Sequence, residues 1–162
     1  MNATLRAAAL ALAALTCGHS AAAAKQEPYG PNIGGWFFTS ELEKPGMVNC
    51  RAHLKAGGNL LIVAMRTNDE AYVSVSAGKI KGAFPNSWLQ LANDALPVLA
   101  KTYGDRLVFA PLNADQLRMI GEQGGYTWAL ADKADTTATV DLGPKAAAAV
   151  NRVLECVQSN QW

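Results

Sequence analysis

The chain has 162 residues, of which 50% are hydrophobic and 17% are charged. This composition is typical of one globular domain and excludes a disordered chain. The 14 basic and 13 acidic residues give a net charge of +1. Because a nucleic-acid-binding surface needs concentrated positive charge and the basic residues here are dispersed, we expect no nucleic-acid partner.

Residues 1–24 have the three-part pattern of a secretory signal peptide. Arg6 precedes a ten-residue apolar run at 7–16, and small residues then place Ala22 and Ala24 for cleavage. The run is too short to span a bilayer, which takes roughly 20 apolar residues. The pattern therefore predicts export, and the alanine-rich composition favours a bacterial periplasm.

Two other interpretations of this segment remain open. It could be an alanine-rich helix of the domain, or a lipoprotein signal that ends at Cys17, although the residues before that cysteine do not match a lipobox. Cleavage would leave a mature chain that begins at Lys25 with a net charge near zero. No later stretch is apolar enough to predict a transmembrane segment.

The first half of the mature chain predicts mainly strands. Residues 25–35, rich in proline and glycine, predict a flexible leader, and residues 36–162 predict a single domain. Strands are predicted at 36–40, 50–55, 60–66 and 71–77. The continuous apolar run 60–66 is typical of a central strand. In 71–77, the alternation of Val73 and Val75 with Tyr72, Ser74 and Ser76 predicts one packed and one wetter face of the sheet.

The second half predicts helices between strands. Residues 82–94 fit either a strand around 88–91 or a helix, and Asp94 as an N-cap predicts a helix through 96–103. The next predicted elements are a strand at 106–111 and a helix at 114–123 that Asn113 caps. They are followed by strands at 126–130 and 137–142 and by a closing helix after Gly143 and Pro144.

The sum of these elements is about seven strands and about three helices, without a repeat or an internal linker. The sequence therefore predicts a single α+β domain with a mainly antiparallel sheet. The C-terminal helix is expected to pack on that sheet.

Cys50 and Cys156 are the two cysteines that would remain after cleavage. In an exported protein such a pair predicts a disulfide, with two reduced buried thiols as the alternative. The closing helix supports the pairing, because its apolar residues share one face and Cys156 lies at the margin of that face. These apolar residues are Ala146, Val150, Val153, Leu154 and Val157.

No catalytic or metal site is predicted, and no cofactor is expected. His53 would be the only histidine of the mature chain, and no G-x-S-x-G motif accompanies it. Cys50 and His53 are three residues apart on a strand and therefore point to opposite faces, so they cannot readily share one metal ion. We interpret His53 as a polar histidine of the outer face, and the serines of 71–77 as surface residues.

Two carboxylate pairs, Glu41 with Glu43 and Asp69 with Glu70, are the candidates for acid–base chemistry. Glycoside hydrolysis needs two carboxyl groups at a defined separation, which adjacency in sequence does not supply. We therefore expect solvated turn residues at these positions. Trp88 is the candidate for contact with a partner, because an exposed aromatic residue after a loop can anchor an interface, with ordinary burial as the alternative.

The layout of an export signal, an aromatic strand after Gly34 and Gly35, and a closing glycine–helix segment is similar to that of the invasion-associated locus B family of periplasmic proteins. That family places a cysteine soon after the tryptophan and has further internal cysteines. Here Trp36 and Cys50 are fourteen residues apart and the internal cysteines are missing. No function and no residue role is transferred from this likeness.

These observations favour a non-enzymatic binding or interaction protein of the periplasm, such as an inhibitor, an immunity-type protein or an envelope accessory protein. Its expected partner is another envelope protein or a cell-wall component. A small envelope hydrolase that uses carboxylates, or a structural envelope protein, is the alternative. The sequence identifies neither the partner nor a reaction.

Overall fold

The computed structural model describes residues 25–92, 94–131 and 136–161. The predicted signal peptide, including Cys17, lies outside the described residues. In these ranges the chain forms one antiparallel sheet of ten strands and two helices. The strands are β1 (Gln26–Pro28), β2 (Trp36–Lys44), β3 (Met47–Ala56), β4 (Asn59–Arg66), β5 (Ala71–Ser76), β6 (Ala83–Leu91), β7 (Asp94–Tyr103), β8 (Arg106–Leu112), β9 (Gly125–Leu130) and β10 (Thr137–Asp141). The helices are α1 (Ala114–Gln123) and α2 (Ala146–Ser159).

The predicted fold of about seven strands and three helices is wrong, because the structure is mainly sheet and its described part has two helices. The helix predicted through 96–103 is strand β7, in which Val98 and Ala100 face the core while Leu99 and Lys101 are exposed. Pairing with β6 on one side and β8 on the other supplies the backbone hydrogen bonds of this segment. These long-range contacts outweigh the local helix signal.

Strands also occupy two segments that the sequence left open or assigned otherwise. The ambiguous segment 82–94 contains β6, which pairs with both β7 and β9. The predicted leader, residues 25–35, contributes the edge strand β1, which pairs with β2. The ring of Tyr29 lies 5.6 Å from that of Phe38, so this segment also packs on the core.

The spatial order of the strands is β1-β2-β3-β4-β5-β8-β7-β6-β9-β10. Strands β1 to β5 follow one another as a meander, and β5 then leads to β6, three positions away. The hairpins β6–β7 and β7–β8 return the chain to the side of β5, which is a Greek-key arrangement. Strand β4, predicted as central, is an interior strand, whereas β5 and β8 occupy the middle of the sheet.

Both helices cover the same face of the sheet, which we call the helix face. Helix α1 contacts β5, β6 and β9, helix α2 contacts β2, β3 and β4, and the two helices contact each other. The predicted cap of α1 is confirmed, because Asn113 and Gln116 form a reciprocal capping box. The predicted apolar side of α2 is also confirmed, since all five of its predicted members are buried in the core: Ala146, Val150, Val153, Leu154 and Val157.

Cys50 and Cys156 form the predicted pair: they are disulfide-bonded, with their Cα atoms 6.1 Å apart. The bond joins the middle of β3 to the last turn of α2 across 106 residues of sequence. It therefore fixes the closing helix to the sheet. No helix within the described ranges is long and apolar enough to cross a membrane.

Candidate ligand-binding site

The sheet face opposite the helices, which we call the open face, carries a row of side chains in register. His53 on β3 lies opposite Ile62 on β4, and Ile62 lies opposite Ser74 on β5. Ser74 lies opposite Val108 on β8, which in turn lies opposite Lys101 on β7. Directly opposed residues of antiparallel strands have Cβ atoms about 4.5–5.5 Å apart. Five neighbouring strands thus bring together polar, basic and apolar side chains that are far apart in the sequence.

An open cavity of about 680 Å³ lies over this row, and we call it the open-face cavity. The register of the β5–β8 pair shifts beside it, so that Ala110 and Pro111 of β8 both lie opposite Tyr72 of β5. Such a bulge bends a sheet locally and is frequent beside binding sites. The volume is within the range of cavities that hold small molecules.

Arg51 is held at one side of the cavity by carboxylates of β2. Its Nη1 atom lies 2.5 Å from Glu41 Oε2, its Nη2 atom lies 3.5 Å from Glu43 Oε1, and its Nε donates to the Tyr72 hydroxyl at 3.1 Å. The buried Asn49 amide also donates to Glu43 and to the Tyr72 hydroxyl. The charge of Arg51 is therefore neutralised by the protein itself.

Arg66 is neutralised in the same way. Its Nε donates to Glu43 Oε2 at 2.9 Å, and its Nη1 lies 3.3 Å from Glu70 Oε2. Burial raises the pKa of Glu43, but the hydrogen bonds from Arg66 and Asn49 and the charges of both arginines outweigh it, so the pKa lies below its usual value. Glu43 is consequently an ionised structural carboxylate.

Arg106 differs from both, because it is bound to a neutral partner. Its Nε and Nη2 atoms donate to Ser74 Oγ at 3.3 and 2.8 Å. In the described part of the chain, no carboxylate lies within ion-pair distance of Arg106. Ser74 is 1% exposed, so its hydroxyl is a buried acceptor that fixes the plane of the guanidinium.

Lys101 is the second basic group of the cavity whose charge is not neutralised. Its Nζ atom lies 5.0 Å from the centroid of the Tyr103 ring, and Tyr103 is directly opposite Arg106 in the β7–β8 pair. The described residues provide no hydrogen bond or ion pair for this ammonium group. A cation beside an aromatic ring gains only a modest attraction, so the Lys101 ammonium remains available to an anion.

His53 forms the far end of the row and is 6% exposed. Its ring stacks on Phe37 at 4.6 Å, and its Nε2 lies 2.8 Å from Thr39 Oγ1. Burial, together with the charges of Arg51 and Arg106, lowers the pKa of His53 to about 4. The imidazole is therefore neutral at pH 7. Its buried Nδ1 has no hydrogen-bond partner among the residues described.

The rest of the cavity wall is largely apolar. Leu60 and Ile62 of β4, Val108 of β8 and Leu99 of β7 line it. Leu99 is 41% exposed and Tyr103 is 56% exposed, which makes them two of the three large hydrophobic side chains that are exposed in the described ranges. Exposed apolar side chains gathered at one place are typical of a surface that a ligand or partner covers.

The structure separates Trp88 and Asp69 from the cavity lining. Trp88 is half-buried on β6, opposite Pro97, and lines a separate shallow depression of about 360 Å³. Asp69 lies in the β4–β5 turn and accepts a hydrogen bond from Gln161. Glu41 and Glu43, expected as solvated turn residues, are instead half-buried on β2 in ion pairs with arginines. The reason is the pairing of β2 with β3, which brings the two carboxylates to the arginine side chains of β3 and β4.

Sequence reasoning missed the basic residues that define the cavity. Lys101 was hidden by the helix predicted through 96–103, since a helix would not place it on a sheet face. Ser74 was interpreted as a surface residue because its alternation with Val73 and Val75 is typical of a solvated face, but the Arg106 side chain covers it. The neighbouring polar Arg106 and apolar Leu107 indicate that Arg106 lies on the wetter face of its strand. The sequence does not show that this strand pairs with β5, and that pairing is what brings Arg106 to Ser74.

No protein-family model matches the chain, and no curated protein or solved structure is significantly similar to it. The site must therefore be interpreted from its own geometry and charge.

Proposed function

We propose that the protein is an exported binding protein that holds a small anionic ligand in the open-face cavity without transforming it chemically. One observation carries this proposal. Arg106 and Lys101 line the cavity without a carboxylate partner among the described residues, whereas Arg51 and Arg66 are both ion-paired. Basic side chains left without a counter-charge in a concave site favour binding of an anion.

The state of the titratable groups favours binding over catalysis. A carboxyl group that acts as a general acid near neutral pH needs a raised pKa, whereas Glu43 has a lowered one. The other carboxylate of the cavity, Glu70, is paired with Arg66. His53 is neutral and buried with its Nε2 at Thr39. These groups are engaged in holding the sheet, which disfavours the alternative of a hydrolase based on carboxylates.

Export is the second part of the proposal. It is supported by the signal-peptide pattern of residues 1–24 and by the disulfide between Cys50 and Cys156, since disulfides persist in oxidising compartments. The intact mass of the protein recovered from the periplasm of an expressing bacterium tests it. We expect a chain that starts at Lys25 and takes up no alkylating reagent unless it is first reduced. Retention of residues 1–24, or two alkylated thiols without reduction, would contradict export and the bond.

Binding of an anion is tested by thermal unfolding in the presence of small organic anions, cations and neutral molecules of similar size. We expect anions alone to raise the melting temperature, and Arg106→Gln to remove the effect. Arg118→Gln is the matched control, because Arg118 is an exposed arginine of α1 that pairs with Asp115 outside the cavity. Equal stabilisation by cations, or an unchanged response of Arg106→Gln, would contradict the proposal. Recovery of chemically altered ligand would instead indicate an enzyme.

A further inference from the structure

The charge of the open-face cavity is not evenly distributed. Four basic and two acidic side chains line it, which leaves a surplus of two positive charges. Both acidic residues, Glu43 and Glu70, contact Arg66, and Arg51 is bound by Glu41 from outside the lining. The surplus therefore lies at Arg106 and Lys101, on the neighbouring strands β8 and β7.

The donors of Arg106 are arranged for a planar acceptor. A guanidinium has five N–H donors, and Ser74 Oγ takes one from Nε and one from Nη2. The edge formed by Nη1 and the second Nη2 hydrogen is left, and its geometry suits the two oxygens of a carboxylate. The negative charge of Asp105, the residue before Arg106, also acts on this guanidinium from beyond ion-pair distance, which disfavours a ligand head with a second negative charge.

The wall beside this cationic pair is suited to hydrocarbon. Val108 lies between Ser74 and Lys101 in the sheet, and Ile62 lies on the other side of Ser74. Leu99 and Tyr103 stand exposed at the same cavity, where contact with a hydrocarbon chain would remove them from water. Burial of such surface is favourable by about 25 cal/mol per Å².

We propose that the ligand is a monocarboxylate that carries an apolar chain, with its carboxylate on Arg106 and Lys101 and its chain along Ile62, Val108 and Leu99. This inference rests on the proposed function and specifies the ligand class of the same cavity. The unpaired cations account for the carboxylate, and the exposed apolar wall accounts for the chain.

Calorimetric titration with acetate, butyrate, hexanoate and octanoate tests the chain. We expect affinity to rise with each methylene, up to about fourfold for one that is fully buried. Leu99→Ser should reduce this dependence on chain length. Leu42→Ser is the matched control, because Leu42 is an exposed leucine, 59% accessible, that does not line the cavity.

Titration with octan-1-ol, octyl phosphate and octylammonium tests the head group. We expect octanoate to bind at least tenfold more tightly than each of the three. Arg106→Gln and Lys101→Gln should each weaken octanoate binding about tenfold or more, with Arg106→Lys intermediate because it keeps the charge and loses the paired donors. Circular dichroism of each variant verifies that it is folded.

Three results would overturn the inference. Tighter binding of octyl phosphate would assign a phosphate head, equal binding of octan-1-ol would remove the role of the cations, and equal binding of acetate and octanoate would remove the chain. In the first and third cases anion binding persists, so the proposed function stands. If neither the carboxylates nor octyl phosphate bind, the proposed function fails as well.

Discussion

At the scale of single residues, His53 is a buried titratable side chain whose pKa lies far from its usual value. Burial, together with the charges of Arg51 and Arg106, lowers its pKa to about 4, well below the value of about 6.5 expected for an exposed histidine. The unfolded chain thus binds a proton between pH 6.5 and 4 that the folded chain does not bind. Stability is therefore present above pH 6.5 and is lost as the pH falls toward 4.

This gives a first prediction. The free energy of unfolding should fall between pH 7 and pH 5 by an amount on the order of 2 kcal/mol. His53→Gln, which keeps a polar group beside Thr39, should remove most of this dependence. Urea unfolding of both proteins at the two pH values measures it. The lowered pKa of Glu43 acts only below its usual value of 4.5, so it does not contribute in this window. A histidine variant with an unchanged pH profile would contradict the assignment.

Residue-level prediction from sequence succeeded where strand geometry alone decides the outcome. The expectation that Cys50 and His53 face opposite sides of β3 is confirmed, since Cys50 is in the core and His53 is on the open face. Burial of His53 could not be predicted, because it depends on Phe37 and Thr39 of the neighbouring strand. Register between strands, rather than sequence spacing, determines those contacts.

At the scale of elements, the contact between α1 and α2 depends on a glycine. A Cβ atom placed on Gly121 would lie 2.9 Å from Val150 Cγ2 and 3.2 Å from the Ala147 Cα. The Ala147 Cα is a backbone atom of α2, so it cannot move aside as the end of a flexible side chain would. Gly121 thus allows the two helices to approach each other over the helix face.

We accordingly predict that Gly121→Ala destabilises the protein by about 1–3 kcal/mol, although alanine is the better helix former by about 1 kcal/mol. Glu122→Ala, at the adjacent exposed position of α1, is the control and should change stability by less than about 0.5 kcal/mol. Urea unfolding of the two variants gives the comparison. A stabilised Gly121→Ala would show that the helices are not packed closely at this point.

Helices and strands with a clear hydrophobic periodicity could be predicted from the sequence, and those without it could not. The strands expected at 60–66 and 71–77 and the helix expected at 114–123 are present. Strand β7 was missed because its short apolar run, preceded by a plausible capping residue, fits a helix locally as well as a strand. Strand β1 was missed because three exposed residues form no pattern, and its partner β2 alone defines it.

At the scale of the whole molecule, the disulfide links the closing helix to the sheet. It joins β3 to α2 across 106 residues, so the chain-entropy model assigns it about 4–5 kcal/mol, and measured losses are about 2–5 kcal/mol. We predict a loss in this range for the Cys50→Ala, Cys156→Ala double variant in urea unfolding. Wild-type protein kept reduced is the control and should match the variant. A difference below about 0.5 kcal/mol between oxidised and reduced protein would contradict a stabilising role.

The two faces of the sheet have different roles. The helix face is filled by α1, α2 and the apolar core, whereas the open face presents Arg106, Lys101 and an apolar wall to solvent. The sequence predicted a packed and a wetter face, but not the cavity, because the cavity combines strands whose spatial order differs from their chain order. The proposed function depends on ligand binding to this open face.

A titration of ¹⁵N-labelled protein with octanoate, followed by amide chemical shifts, tests this claim most directly. We predict that the largest shifts lie on β4, β5, β7 and β8 around Ile62, Ser74, Lys101 and Arg106. Arg106→Gln should strongly reduce them at the same octanoate concentration. The amides of α1 and α2 should change little. Shifts concentrated on the helices or around Trp88, or an unchanged response of the variant, would contradict a binding site on the open face.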